Sequence, residues 1–196
     1  ADFHLASLAL PALLWATLFA LSSRWRLFAI CVVLVVACRA DLGLVVAGLG
    51  GLLAIEGKRR EGALTAAFGL GWVLLALFVI QPYYADGGFV HESAFSAYGS
   101  SPLGVATGML AHPLSVIGDI TAEENFALLV LLLAPVLFLP VLAPRYLLPV
   151  LPLELLYLVA NASEARAPRV EQNVAMTAFV FVATAMALSK IGTRTI

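Results

Sequence analysis

Charge is scarce in this sequence: Asp, Glu, Lys and Arg make up only 12% of its 196 residues, against about 25% in a typical soluble domain. Their balance is equally spare, with a net charge of -1, so no global positive field argues for RNA or DNA as a partner. Cysteine is limited to Cys31 and Cys38. Both lie inside one apolar run, seven positions apart, which suits packing on a helix face rather than a bridge or a metal site. No P-loop, GxSxG or properly placed GxGxxG occurs, which leaves ATP-driven, hydrolase and dinucleotide chemistry without support. Nor does a basic segment lead into a short apolar stretch as in a signal peptide. The chain begins Ala1-Asp2-Phe3 and reads as a fragment or a processed product.

What the sequence has in excess is apolar length. Hydrophobic residues make up 62% of it and the mean hydropathy is +1.01, more than a soluble core can absorb. Seven apolar runs stand out, at about 5–21, 27–38, 42–55, 63–80, 126–142, 146–160 and 174–188, each bounded by charge, Pro or Gly. The expected fold is an all-α, polytopic transmembrane bundle of about seven passes, forming one domain over residues 1–196. Membrane lipids are then its first partners.

Basic residues set the expected orientation, because Lys and Arg accumulate in short cytoplasmic loops. With the N-terminus outside, seven passes put Arg24, Arg26, Lys58, Arg59, Arg60, Arg145, Lys190 and Arg194 on the cytoplasmic side. Only Arg39, Arg166 and Arg169 remain outside, together with His4, His91 and His112 and most of the acids. The C-terminus is then cytoplasmic and the polar chemistry collects on the extracytoplasmic face of a cytoplasmic membrane.

Runs 27–38 and 42–55 are short for a span and are separated only by Arg39-Ala40-Asp41. A re-entrant or membrane-thinning hairpin is expected; one long tilted helix is the alternative, and it would reverse the parity of every later loop. Ala47 and Gly51, beside Gly48 and Gly50, form a small-xxx-small pattern suited to close helix approach. Pro135, Pro140, Pro144, Pro149 and Pro152 predict kinks in the fifth and sixth spans. Residues 81–125 form the one long hydrophilic stretch, an extracytoplasmic loop in this topology. Within it Leu103, Ala106, Met109, Leu110, Pro113, Val116 and Ile117 recur at helical spacing, as in a segment lying in the interface, with breaks at Gly104, Gly108 and Pro113. Thr121 and Glu124 predict a capping box opening the fifth span.

Ionisable residues between apolar runs default to function, so Arg39 and Asp41 are the first candidates. Two apart, they would not meet on a helix, but a turn lets them converge, with Arg39 offering a donor fork to a phosphate and Asp41 accepting from a hydroxyl or from Arg39 itself. A plain ion pair at the tip is the alternative. Asp2 and His4 precede the first span on the same expected face, each a base, a ligand or neither. His91, Glu92 and His112 are candidate loop or acceptor contacts, but their spacing is unlike that of helical zinc ligands; no metal ligand set is assigned, and a divalent cation stays open as a cofactor. Glu154, inside the sixth span, must face protein or water, paired with a base or hydrogen-bonded to backbone that Pro149 and Pro152 free. Asn161-Ala162-Ser163 matches a glycosylation sequon, a pattern common by chance.

The order of these features resembles a bacterial membrane family known as domain of unknown function 2079: Asp2-Phe3-His4 before a span, Arg39-Ala40-Asp41 between two short runs, a basic turn at Lys58, Arg59 and Arg60, then the long loop. The Leu147-Leu148-Pro149-Val150-Leu151-Pro152 run and Glu171-Gln172-Asn173 also fit. The resemblance covers nearly the whole chain but only the C-terminal part of a typical member. At the tip the family pattern usually reads Lys-Glu-Asp, and a His-Tyr pair often stands where this chain has Gln172-Asn173. The family is similar to GT-C type glycosyltransferases, which take sugar from a polyprenyl-phosphate donor on the extracytoplasmic side. The resemblance implies a transferase acting on a cell-envelope acceptor, with Asp2 and Asp41 as catalytic carboxylates and Arg39 and His4 at the donor phosphate. A second class of function is a non-catalytic accessory or structural subunit that docks other membrane subunits through residues 81–125. A transporter would want an internal repeat of broken helices, and none is evident.

Overall fold

The computed structural model describes residues 6–84, 95–122, 125, 130–159 and 173–192. Asp2, His4, His91, Glu92, Glu124, the 161–163 sequon, Arg166, Arg169 and Gln172 lie outside the described residues. All regular structure among the described residues is helical.

Helix α1 (Ala6–Leu21) runs to a tight turn at Ser23, and α2 (Trp25–Cys38) packs back along it. The Arg39–Asp41 turn then leads to α3 (Leu42–Ile55), which packs along α4 (Arg59–Tyr84). The hairpin expectation thus describes the chain path: two separate helices of 14 residues each, about 21 Å long at 1.5 Å per residue and shorter than a hydrocarbon core of about 30 Å. Near its end α4 opens into a π-helical turn at Ala76–Ile80.

Two helices are long and apolar enough to cross a membrane, α4 and the last helix, α8 (Val174–Gly192). The helices α5 (Pro102–Ala111) and α6 (Pro113–Ile120) join them as a third only if counted as one broken span, and they bend by 94° at His112. Of the three expected breaks only the one at Pro113 occurs; α5 runs unbroken through Gly104 and Gly108. Only 17% of the most apolar window of α4 is buried, and Leu64, Leu74, Phe78 and Val79 point outward, as a lipid-facing helix requires.

The α3–α4 seam is built from glycine and alanine. A Cβ on Gly50 would lie 2.5 Å from the backbone N of Ala66 and the carbonyl O of Gly62, and Gly43 meets Gly69 in the same way. Because lipid tails are as apolar as leucine, helices in a bilayer associate by such close backbone packing rather than by expelling water. Ala47 belongs to this seam, facing Gly69, whereas Gly51 touches nothing across it. The expected Ala47/Gly51 pair is therefore a Gly43, Ala47 and Gly50 stripe, because Gly51 is turned off that face.

The expected fifth helix does not continue through its prolines. Residues 130–133 are helical, then short 3-10 turns follow at Ala134–Val136, Leu139–Leu142 and Pro144–Leu147. Leu137 and Phe138 between them have left-handed backbones, φ 53° and 55°, a conformation costing bulky residues about 1–3 kcal/mol each. Proline at the first or second position of each turn removes the N–H a longer α-helix would need, and the remaining amides bond three or five residues back, as Ala143 does to Pro140 and Phe138 to Leu133. The turns at Leu139–Leu142 and Pro144–Leu147 pack on α8, while Leu137, Val141 and Leu142 stay exposed. Helix α7 (Leu151–Val159) follows it.

One core, including Leu13, Val35, Val45, Leu49, Leu53, Tyr146, Leu153 and Phe179, joins α1, α2, α3, the irregular stretch, α7 and α8. Polar contacts sort to its two ends. At one end of α3, Glu56 pairs with Arg145 at 3.2 Å, and Lys58 donates to the carbonyls of Ala20 and Leu21. At the other lies the Arg39–Asp41 turn.

Candidate functional site

Cys38 ends α2, and Arg39 adopts extended backbone (φ -156°, ψ 138°) before Asp41 turns into α3. That single extended residue folds the two side chains toward each other, which a continuous helix forbids. The Arg39 guanidinium then grips Asp41 as a fork, Nε to Oδ1 at 3.1 Å and Nη2 to Oδ2 at 2.5 Å. The side chains remain 28% and 27% exposed.

Helix α7 brings a third member. The Tyr157 hydroxyl accepts from Arg39 Nη2 at 2.6 Å and donates to Asp41 Oδ2. Sequence reasoning missed Tyr157, although one trace of it was legible: it stands three residues after Glu154, on the same helix face. Glu154 is buried at 7% exposure, close enough to Tyr157 to act on its hydroxyl electrostatically. The cluster is therefore a carboxylate, a guanidinium and a phenol, a combination able to accept a proton and to bind an oxyanion, with Glu154 of the first turn of α7 near enough to act on the phenol through its charge.

The long loop roofs this end. Phe95, Tyr98 and Val105 form a small core with Val159 of α7, joined by Met109, Val116, Ile120 and Leu156. Ser101 caps α5 by accepting from Gly104 N at 3.1 Å, with Pro102 at the first helical position. Asn125 Nδ2 donates to the carbonyls of Asp119 and Leu158 at 2.7 and 3.3 Å. Tyr98 donates to Asp119 at 2.5 Å. Burial, that hydrogen bond and the Asp119 charge push the phenol up to about 12. His112 sits at the α5–α6 corner with Nδ1 3.1 Å from the Gly108 carbonyl, and no described hydrogen bond joins it to Arg39 or Asp41. Thr121 donates back to Ile117 and Gly118; Glu124, the other half of the expected capping box, lies outside the described residues.

Of the expected site residues, the fold thus joins Arg39 and Asp41 directly, places Glu154 one turn of α7 before their partner Tyr157, and leaves His112 on the roof. Among the described residues no group of three His, Cys, Asp or Glu side chains gathers as metal ligands do. No curated protein and no solved structure matches the chain. Residues 1–196 match the family described as Predicted membrane protein (DUF2079). The chain belongs to that family of membrane proteins.

Proposed function

We propose that the Arg39–Asp41–Tyr157 cluster is the reaction centre of a GT-C-like glycosyltransferase that moves a sugar from a polyprenyl-phosphate donor to a cell-envelope acceptor. The observation that carries the reading is a guanidinium and a carboxylate, partly open, held together at a turn between two short apolar helices. Seven passes with the N-terminus outside place that turn on the extracytoplasmic face. The grouping of Ala20, Glu56, Lys58 and Arg145 at the other end supports the alternation that this topology needs.

In the transfer, the acceptor oxygen bonds to the anomeric carbon as its proton passes to Asp41, and the bond from that carbon to the phosphate oxygen breaks with its electron pair leaving on the lipid phosphate. Arg39 stabilises the negative charge that builds there. Tyr157 keeps Asp41 positioned while the phosphate takes part of the guanidinium fork. Asp2 as a second carboxylate and His4 at the phosphate complete the set that the family likeness implies, with a divalent cation as an optional partner. The test is transfer of radiolabelled sugar from a polyprenyl-phosphate donor by the full-length protein in proteoliposomes. Asp41→Asn and Arg39→Gln should each lower turnover at least about a hundredfold, the scale of general-base and charge-stabilising effects; unchanged turnover in both removes the assignment.

One observation favours a second reading, an accessory subunit: Asp41 already fills the Arg39 fork, as a purely structural ion pair does. Intact mass of the purified native protein with its released lipids separates the two. A bound polyprenyl phosphate supports the transferase, and stoichiometric partner subunits without such a lipid support the accessory role.

A further inference from the structure

The end of the bundle opposite Asp41 carries cations that the transferase reading does not use. Arg24, Trp25, Arg26 and Leu27 line an open depression at the start of α2. Lys58 stands against it, its ammonium 5.1 Å from the centre of the Trp25 ring. The same ammonium donates to Ala20 and Leu21 at 2.5 and 3.0 Å, which pins the start of α4, and with it Arg59 and Arg60, beside the start of α2.

Arg24, Arg26, Arg59 and Arg60 are all exposed, and among the described residues none of them has an ion-pair or hydrogen-bond partner. These four cations and Lys58 outnumber Glu61, the one acid in the first turn of α4, so an anion is stabilised beside them. Neither α2 nor α4 has a side-chain cap at its start, which leaves backbone N–H donors facing the same way. Along α2 from the depression, Leu27, Ile30 and Leu34 are exposed at the spacing of one helix face. Anionic and apolar requirements thus meet on one short stretch.

We propose that this notch binds the phosphate headgroup of an anionic phospholipid, with its acyl chains lying along Leu27, Ile30 and Leu34. Basic residues beside a span attract anionic lipid, and arginine adds a two-pronged match to phosphate oxygens. Lys58 acts as the strut that keeps the two arginine pairs together. The site is independent of the reaction proposed at Arg39.

The test is native mass spectrometry of the delipidated full-length protein titrated with phosphatidylglycerol or phosphatidylcholine. Phosphatidylglycerol should be retained in preference. Arg24→Gln/Arg26→Gln and Arg59→Gln/Arg60→Gln should each weaken its retention about 30-fold, from about fivefold per charge. Lys190→Gln/Arg194→Gln, which removes two other basic charges, should leave retention within about twofold, and millimolar inorganic phosphate should not displace the lipid. Equal retention of phosphatidylcholine, equal loss in the Lys190/Arg194 chain, or displacement by phosphate overturns the proposal. Should a Gln pair fail to fold, Arg24→Lys/Arg26→Lys replaces it: weakened retention supports the arginine fork, and unaltered retention overturns it.

Discussion

Tyr157 donates its hydroxyl to Asp41 across 116 positions of sequence, tying the turn between two short helices to the end of α7. The same oxygen accepts from Arg39, so the phenol closes a three-membered ring of polar groups where apolar helices end. Removing it separates what packing holds from what the ring holds.

Tyr157→Phe keeps the aromatic volume and deletes both hydrogen bonds. Unfolding in detergent should show a loss of about 1–3 kcal/mol, with faster amide exchange concentrated at residues 39–43. An Arg39→Ala/Asp41→Ala double-mutant cycle should return a coupling of about 0.5–3 kcal/mol. A coupling near zero would mean the pair is held by backbone alone.

Gly50→Ala places a methyl 2.5 Å from backbone atoms of α4 and must push the helices apart. A loss of about 1–3 kcal/mol is expected from such overpacking. Gly51→Ala, one residue on, meets nothing within 4 Å and should be neutral. Thermal melts of the two variants in one detergent check the contrast.

Lys58→Met removes a charged donor from two helix-terminal carbonyls and a cation from the Trp25 ring. The expected destabilisation is about 1.5–3 kcal/mol. Trp25 fluorescence, read in a Trp15→Phe/Trp72→Phe background, should change with it, since the ring loses its charged neighbour.

Tyr98 binds its proton more tightly in the folded chain, with its phenol pushed up to about 12 from the usual 10 by burial, by its bond to Asp119 and by that carboxylate's charge. Stability from this group is complete below pH 10 and is lost as pH rises through 12. The difference in melting temperature between the native chain and Tyr98→Phe should therefore shrink across that window. A constant difference from pH 9 to 12 would contradict the placement of Tyr98 on Asp119.

Local reasoning reached far where the physics is local. Apolar runs against sparse charge dictate a membrane protein, since no soluble core could hide them. Of the three expected breaks in the loop Pro113 marks the α5–α6 corner while Gly104 and Gly108 stay helical, and the Arg39-Ala40-Asp41 tripeptide locates the break between α2 and α3. The fifth span shows where this stops: prolines announce disruption, but whether a helix kinks or unwinds depends on whether neighbours cover the freed backbone. Here α8 packs on the turns at Leu139–Leu142 and Pro144–Leu147.

The sequence by itself determined the solvent of this protein, its helical class, its breaks and its pair of candidate charges, because composition, proline and charge act within a turn or two of the chain. Only the tertiary structure decided that Tyr157 joins that pair, that Gly50 and not Gly51 faces α4, and that Lys58 ties the start of α4 to the end of α1 and to Trp25. Those outcomes turn on which helix faces meet. Sequence spacing sets the faces a helix can offer, and packing between distant segments selects the one it uses.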